Sequence, residues 1–293
     1  MSALQTIIDA IALGSIFALV AMGIGLIFGV MRLVNFAQGE LLTAGAYSLI
    51  VTIDLPLVIR IGVLFATVVV FALATELALR PLRNASPATL LVTTFAFSFL
   101  LQSIFLLVWG AQGDNARFLP KLNEAVSIGD LRIRWVTFAS IGVGALLLTA
   151  TALFLSRTTL GLQMRAAAHD FRTARSLGVR ANRVIMLAFL VAGLLAAAAT
   201  VLLVVQRPLV TPTFGFVVAI PALVGVVVGG LDRLVTATGG GFALGFATAV
   251  LADVLPGSAR VFLTSVVFGL VILVLLIRPN GLFSRRRTTA ERV

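Results

Sequence analysis

Residue types that carry catalytic and redox chemistry are absent or nearly absent from this chain. It has no cysteine, which excludes disulfides, thiolate catalysis and sulfur-ligated metals. The only histidine, His169, stands beside Asp170 in a basic stretch, where a solvated side chain is expected rather than a ligand or a base. The only lysine, Lys121, follows no glycine-rich phosphate loop, so a Walker A site is excluded. We therefore expect no metal, no cofactor and no ATP hydrolysis by this chain itself.

Charged residues are also scarce. They make up 11% of the 293 residues, whereas 60% are hydrophobic, and the mean hydropathy is +1.14. No water-soluble globular domain has this composition, so the sequence predicts a polytopic membrane protein. A net charge of +11 would suggest nucleic-acid binding in a soluble chain. Here the arginines gather in short loops between apolar runs, as orientation signals do, and no nucleic-acid partner is expected.

Nine apolar runs are long enough to cross a bilayer, because a hydrocarbon core of about 30 Å requires about 20 helical residues. The prediction is an all-α transmembrane helical bundle that forms a single domain over residues 1–293. The second run is the weakest, since it contains Gln38 and Glu40. If that run re-enters the membrane without crossing it, the count falls to eight. The nine runs are 7–31, 36–53, 55–79, 88–109, 136–156, 184–206, 214–231, 234–254 and 261–277.

Positive charge is concentrated in the stretch 157–183, which we name the basic insert. Basic loops are retained on the cytoplasmic side, so the insert predicts an N-terminus outside and a C-terminus inside. The loop 110–135 then lies outside, and its charges nearly cancel. The insert holds six arginines opposed only by Asp170: Arg157, Arg165, Arg172, Arg175, Arg180 and Arg183.

The basic insert is also predicted to be helical. Phe171, Ala174 and Leu177 share one helical face, and Gly178 is expected to end the helix. Two interpretations remain open at this point. The insert could lie on anionic lipid as an amphipathic basic helix, or it could form a compact helix-turn unit that docks into the groove of a cytoplasmic partner.

Polar residues within the fourth apolar run form a candidate substrate path. Thr94, Ser98 and Gln102 recur every four residues, so they lie on one stripe of an α-helix. A polar stripe should face protein or water. It could line a substrate path, or it could only make interhelical hydrogen bonds, and the sequence does not decide between the two.

A second polar group, Asn35, Gln38 and Glu40, follows directly after the first run. A helix cap and turn would explain Asn35. Glu40 does not fit that explanation, because an ionisable residue at the edge of an apolar segment is a functional candidate. Its expected partner is Arg32 or a neighbouring helix.

Other residues are given structural roles. Glu76 precedes Arg80 by four residues, the favourable order for a helical ion pair. Small residues at close spacing let helices approach one another, so the glycines of the seventh and eighth runs predict tight helix packing. The candidates for packing include Gly229, Gly230, Gly241 and Gly245.

In combination, these motifs resemble the signatures of branched-chain amino-acid (Liv-type) ABC transporter permeases. The likeness runs from about Ile8 to Phe283 and is closer to the H-type half of the permease pair than to the M-type half. Its main elements are Asn35-Phe36-Ala37-Gln38-Gly39-Glu40-Leu41, Gly45-Ala46-Tyr47, Thr94 with Ser98 and Gln102, Gly229-Gly230-Leu231, Arg278-Pro279 and Gly281-Leu282-Phe283.

The resemblance implies an inner-membrane importer assembled from several chains. In such a machine a second, M-type permease subunit completes the pathway, two ATPase subunits drive it, and an extracytoplasmic binding protein delivers the substrate. The resemblance also implies that the basic insert couples the permease to the ATPase. The coupling residues would be Arg165, Ala166, Asp170, Phe171, Ala174, Leu177 and Gly178.

The substrate stays open at this stage. The family often has histidine at Gln38, glycine at Ala96 and Gly-Ser at Asp232-Arg233, and relatives carry urea, short amides or aromatic acids. A secondary carrier coupled to an ion gradient is the alternative mechanism, and Glu40 and Asp253 are its plausible carboxylates. An intramembrane enzyme is poorly supported, because no histidine, cysteine or carboxylate pair shares an apolar face.

Overall fold

The computed structural model describes residues 3–83, 85–128, 131–231, 233–278 and 281–282. Several residues used above lie outside this part of the chain: Asp232, Pro279, Phe283 and the side chain of Arg172.

The described chain is helical apart from two short antiparallel strand pairs, as the all-α prediction requires. Strand β1 (Asp114–Asn115) pairs with β4 (Leu209–Val210), and β2 (Ala125–Ile128) pairs with β3 (Leu131–Arg134). The helices are α1 (Ala3–Met31), α2 (Gln38–Val51), α3 (Leu57–Leu79), α4 (Pro87–Trp109), α5 (Trp135–Arg157), α6 (Thr159–His169), α7 (Phe171–Ser176), α8 (Ala181–Gln206), α9 (Phe214–Gly229), α10 (Leu234–Val254) and α11 (Leu263–Ile277).

Local chemistry explains where α4 begins and ends. At the start of α4, the Ser86 hydroxyl accepts a hydrogen bond of 3.2 Å from the Thr89 N–H, and Pro87 occupies the first helical position. Gly110 ends the same helix with a φ of +75°, a conformation that costs glycine little. The predicted boundaries of this span, 88–109, therefore fall close to the observed ones.

Helix α1 lies at the centre of the bundle. It packs against α5, α8, α9 and α10, and it is apolar on all sides, as expected of a buried helix. Helices α3, α4, α5 and α11 are peripheral and leave broad apolar surfaces exposed. In a membrane protein such surfaces suit lipid or another membrane subunit.

Seven helical segments in the described part of the chain are long and apolar enough to cross a membrane. The remaining two of the nine apolar runs form shorter helices: α2 has 14 residues and α9 has 16. At 1.5 Å per residue each extends only about 21 to 24 Å. The total of eight or nine segments and the placement of the termini stay predictions.

Contacts show that the two ends of the bundle carry different loops. At one end, the guanidinium of Arg32, after α1, donates a 3.0 Å hydrogen bond to the Ala168 carbonyl oxygen in the basic insert. At the other end, Gln5 Nε2 donates to the Arg132 carbonyl oxygen at 2.9 Å. The basic insert and the loop 110–135 therefore lie at opposite ends, as expected if they face opposite sides of the membrane.

Two local expectations need correction. Glu76 forms its ion pair with Arg83 rather than with Arg80, because a 3-10 turn over Arg80–Leu82 follows α3 and folds Arg83 back toward the carboxylate. The same guanidinium donates a 2.6 Å hydrogen bond to the Asn182 side chain at the start of α8. The basic insert is not one helix but two, α6 and α7.

Candidate functional site

Glu40 is fully buried at the start of α2. It lies in the first turn of that helix, and its side chain is 0% exposed. The Ser98 hydroxyl and the Gln102 amide each donate a 2.8 Å hydrogen bond to carboxylate oxygen Oε1. The other oxygen, Oε2, is buried without a hydrogen-bond partner among the described residues. Such an atom is costly unless something pairs with it.

The polar stripe of α4 faces this carboxylate. Thr94 and Ser98 are buried and Gln102 is half-buried. Thr94 lies one turn before Ser98, and its hydroxyl is within hydrogen-bond distance of the Val34 carbonyl oxygen, at 3.2 Å. The structure thus brings together two groups that the sequence indicated separately. The partner of Glu40 is the neighbouring helix and not Arg32, whose guanidinium reaches Ala168 instead.

Asn35 and Gln38 border the same region. The side-chain oxygen of Asn35 accepts a hydrogen bond from the Ala37 N–H at 3.1 Å, which shapes the turn before α2. Gln38 Nε2 lies 3.4 Å from the Ala192 carbonyl oxygen of α8. Asn35 Nδ2 and Gln38 Oε1 are buried without partners within the described chain. Three buried polar atoms therefore surround the start of α2 with unused hydrogen-bonding capacity.

The site lies near the middle of the bundle and not at its surface. Ser98 and Ala192, which contact Glu40 and Gln38, stand near the midpoints of α4 and α8. The chain after α1 thus re-enters the bundle before α2 begins. Helix α2, the weakest of the predicted spans, has 14 residues, and its C-terminal end lies toward the loop 110–135, because the Arg60 guanidinium donates to both the Leu49 and the Ala116 carbonyl oxygens.

Helix α9 also begins at this point. A Cβ atom on Gly215 would lie 1.9 Å from the Gly39 carbonyl oxygen, so the two backbones touch. The Gly215 N–H donates a 3.0 Å hydrogen bond to the Thr43 hydroxyl. The N-termini of two short helices therefore meet inside the bundle, and a helix N-terminus carries partial positive charge. No local sequence pattern marks Thr43 or Gly215, because only their contacts across the bundle reveal them.

The glycines proposed for helix packing divide into two groups. Gly229 lies where α9 meets α10, and an added Cβ would come within 2.3 Å of Thr236. Gly241 lies where α10 meets α1, and an added Cβ would come within 2.3 Å of Ala21. Gly245 contacts α1 in the same way, with Leu13 O at 2.9 Å from such an atom. Gly230 forms the second group by itself, and a packing role for it stays a prediction. It follows α9 with a φ of +104° and ends that helix.

The proposed coupling residues are spread over the basic insert. The Asp170 carboxylate accepts a hydrogen bond from the Thr173 N–H at 3.2 Å and so caps α7. Gly178 follows α7 with a φ of +89°, and the Val179 N–H bonds to the Ala174 carbonyl oxygen, which closes the helix end as predicted. Arg165 and Ala166 are exposed on α6.

The predicted apolar face of Phe171, Ala174 and Leu177 is not continuous. Ala174 is buried and Phe171 is half-buried, whereas Leu177 is 80% exposed. The reason is that α7 ends at Ser176, so Leu177 lies in the turn beyond the helix. Leu177 projects from the end of the bundle as an isolated apolar side chain.

The chain is similar in sequence to known transport proteins. A family profile described as branched-chain amino acid transport system / permease component matches residues 6–276. The high-affinity branched-chain amino acid transport system permease protein BraD of Pseudomonas aeruginosa is 31% identical over 300 residues, 96% of each chain. The corresponding LivH protein of Escherichia coli K12 is 30% identical over 306 residues, again 96% of each chain. The autoinducer 2 import system permease protein LsrC of Klebsiella pneumoniae is 34% identical over 116 residues, 40% of this chain and 32% of that protein.

A solved structure has the same fold. PsaBC from Streptococcus pneumoniae in complex with Fab aligns over 94% of this chain and 92% of that one, with a TM-score of 0.53 and 17% identity. With the seven apolar helices, these similarities identify a multi-pass inner-membrane protein. The chain belongs to the family of branched-chain amino acid transport system permease components.

Proposed function

We propose that this chain is the permease subunit of an ABC importer that moves branched-chain amino acids into the cell. The substrate class follows from BraD and LivH, which are similar along 96% of the chain. LsrC matches only 40% of it, and no observation favours urea, amides or aromatic acids over branched-chain amino acids. The observation that carries the proposal within the chain itself is the buried Glu40 carboxylate at the meeting point of α2, α4 and α9.

The chemistry of this site fits a free amino acid. Oε2 of Glu40 would accept a hydrogen bond from the substrate ammonium group, and a charge-assisted bond of this kind is stronger than a neutral one. The N-termini of α2 and α9 would face the substrate carboxylate with partial positive charge. In this role Asn35, Gln38, Thr94, Ser98 and Gln102 line the pathway around Glu40.

Passage of substrate requires α4 to move. Glu40 is 0% exposed, so the structure is closed at this point. Helix α4 packs chiefly against α2 and contacts few other helices. Its attachment there includes polar contacts to Glu40. A displacement of α4 would open the site while the central helices α1 and α8 keep their packing.

The driving force would come from partner chains. The proposed assembly has a second permease subunit of the M type, two ABC ATPase subunits and an extracytoplasmic substrate-binding protein. The basic insert would lie in the cytosol. It would dock on the ATPases through Leu177 and Gly178, and the exposed α6 residues Arg165 and Ala166 would take part in the contact. The exposure of Leu177 supports docking, because its side chain is available for contact with a partner chain.

Reconstitution of the complete complex tests this function against the secondary carrier. With loaded binding protein, we expect leucine uptake into proteoliposomes to require ATP and to persist when an uncoupler collapses the proton gradient. Uptake without ATP that stops with the uncoupler would reject the importer. Among the described residues, Asp253 lies near the C-terminal end of α10 and accepts a 2.5 Å hydrogen bond from the Thr6 hydroxyl, away from Glu40 in the middle of the bundle, which supports the importer over the carrier.

A further inference from the structure

A cavity lies beside the Glu40 site between α2, α3 and α4. Its volume is about 230 Å³. Most of its wall is apolar or aromatic, with a few hydroxyl groups. The lining includes Ala44, Tyr47, Val63, Phe71, Phe105 and Trp109.

The aromatic side of this cavity is formed by stacked rings. Tyr47 is 1% exposed, and its ring stacks on Trp109 with a centroid distance of 4.3 Å and on Phe105 with a centroid distance of 5.5 Å. Aromatic rings stacked at such distances attract one another beyond the effect of their buried area. The Tyr47 hydroxyl is buried and has no hydrogen-bond partner in the described part of the chain.

The cavity and the Glu40 site share the same helix faces. On α2, Ala44 and Tyr47 follow Glu40 at four and seven residues, which places them on one stripe. On α4, Phe105 follows Ser98 at seven residues on the polar stripe. Along the contact between α2 and α4, the residues around Glu40 are therefore charged and polar. Those one to two turns toward the C-terminus of each helix are apolar and aromatic.

We propose that this cavity receives the aliphatic side chain of the amino acid whose ammonium group pairs with Glu40. This inference rests on the proposed function and adds the part of the site that selects among amino acids. A cavity of about 150 Å³ in an apolar protein interior is enough to bind benzene, so about 230 Å³ accommodates a branched four-carbon side chain. Burial of such a side chain favours binding, and this contribution is absent for glycine and small for alanine.

Cysteine labelling tests occupancy directly, because the chain has no native cysteine. The variant Ala44→Cys is made in the complete complex and treated with a small water-soluble thiol reagent. We expect labelling of this chain, and we expect leucine with its binding protein to slow that labelling at least about threefold. The matched control is Leu107→Cys on the outward face of α4, 87% exposed, where leucine should change nothing. Absence of labelling at Ala44→Cys would indicate a cavity filled by lipid, and labelling unaffected by leucine would indicate a cavity outside the path. Either result overturns the inference.

Substrate preference provides the second measurement. The variant Ala44→Leu fills part of the cavity, and we expect the ratio of leucine to alanine transport, each with saturating loaded binding protein, to fall about tenfold or more. Ala88→Leu adds the same atoms at an exposed position of α4 and should leave the ratio unchanged. If the unsubstituted complex does not transport leucine, the proposed function itself fails. If it does, and Ala44→Leu keeps the normal ratio, only the cavity assignment fails.

Discussion

Glu40 combines full burial, a carboxylate and two hydrogen bonds from a single neighbouring helix. These contacts are supplied by short polar side chains and not by a cation. Since removal of a buried group leaves its partners unsatisfied, the energetic effect of a change at this position depends on what the new side chain can still accept or donate.

Replacement of Glu40 by glutamine tests whether its charge matters. Glutamine keeps the size and an oxygen that can accept from Ser98 and Gln102, but it has no negative charge to pair with an ammonium group. We expect leucine transport to fall at least about tenfold, which corresponds to a loss of about 1.4 kcal/mol or more. The measurement is ATP-driven uptake with the complex at equal abundance. The control, Glu124→Gln, changes an exposed carboxylate, and equal uptake by the two variants would contradict the role of Glu40.

Replacement of Gly215 by alanine tests the contact between α2 and α9. The added Cβ would meet the Gly39 carbonyl oxygen at 1.9 Å, so the two backbones must separate, and overpacking of this kind costs at least about 1 to 3 kcal/mol. We expect a lower thermal stability in detergent, measured by the temperature at which the protein aggregates. Gly62→Ala places the same methyl group in open space on α3 and should be neutral or slightly stabilising. A Gly215→Ala protein as stable as Gly62→Ala would show that the contact is loose.

At the scale of single residues, the sequence predicts which side chains are functional candidates better than it predicts where those side chains lie. The spacing of Thr94, Ser98 and Gln102 is sufficient to predict a shared stripe, and an apolar context is sufficient to mark Glu40. Their direct contact, and the roles of Thr43 and Gly215, depend on how separate helices cross. No local pattern encodes that crossing, because residues 40 and 98 are brought together only by tertiary packing.

Among the elements, α9 departs most from expectation, whereas α2 corresponds to the weakest of the predicted spans. A hydropathy window treats each as one more span, although the helices have 14 and 16 residues. The chain before each helix is irregular and lies within the bundle, where it can be enclosed by protein rather than lipid. Periodicity does not predict this, since irregular backbone and helix can share the same apolar composition.

The basic insert is also only partly predictable from the sequence. Its helical character, its capping Asp170 and its terminating Gly178 are readable from sequence. Its division into α6 and α7 is not, and the expected apolar face is interrupted by that division. Leu177 is consequently a surface residue and not a core residue.

Substitution of Leu177 by aspartate tests docking at the level of this element. A charged side chain at an apolar contact lacks a partner and must be desolvated, so we expect the isolated ATPase subunits to bind at least about tenfold more weakly to the detergent-solubilised permease. Val261→Asp, at a position 85% exposed at the opposite end of the bundle, should bind them normally. Normal binding by Leu177→Asp would remove the basic insert from the interface.

Substitution of Gly178 by valine tests coupling itself. A β-branched residue is strained at a φ of +89°, so the turn after α7 should change shape while no neighbour is displaced, since an added Cβ meets nothing within 4 Å. We expect ATP hydrolysis by the complex to continue and leucine uptake to fall at least about fivefold. Gly257→Val, in a turn at the other end with equally open surroundings, is the control. Unchanged coupling in the Gly178 variant would show that the shape of this turn is not used.

For the whole molecule, composition alone predicts the class of fold. A chain that is 60% hydrophobic and 11% charged forms the expected helical bundle. Charge placement also predicts correctly that the basic insert and the loop 110–135 occupy opposite ends. Neither composition nor charge placement predicts which helices are central. Helix α1 and the peripheral α3 are similarly apolar, with mean hydropathies of 2.5 and 2.6 over their most apolar stretches.

Orientation of the whole molecule is testable with single cysteines. In intact cells, a membrane-impermeant maleimide should label Asp114→Cys, which lies in the loop proposed to be outside. The same reagent should not label Leu177→Cys until the cells are opened, because the positively charged insert is expected in the cytosol. The reverse pattern would invert the topology and exclude docking to cytosolic ATPases.

The enclosed position of α1 has a consequence for biogenesis. It precedes in the chain every helix that eventually surrounds it, so during translation it leaves the ribosome before any of its neighbours exists. Beyond its first turns, which contain Gln5, Thr6 and Asp9, its surface is apolar on all sides, so it can remain in lipid without exposing a polar face. Maturation of the bundle is then an exchange in which acyl chains around α1 are replaced, one helix at a time, by protein.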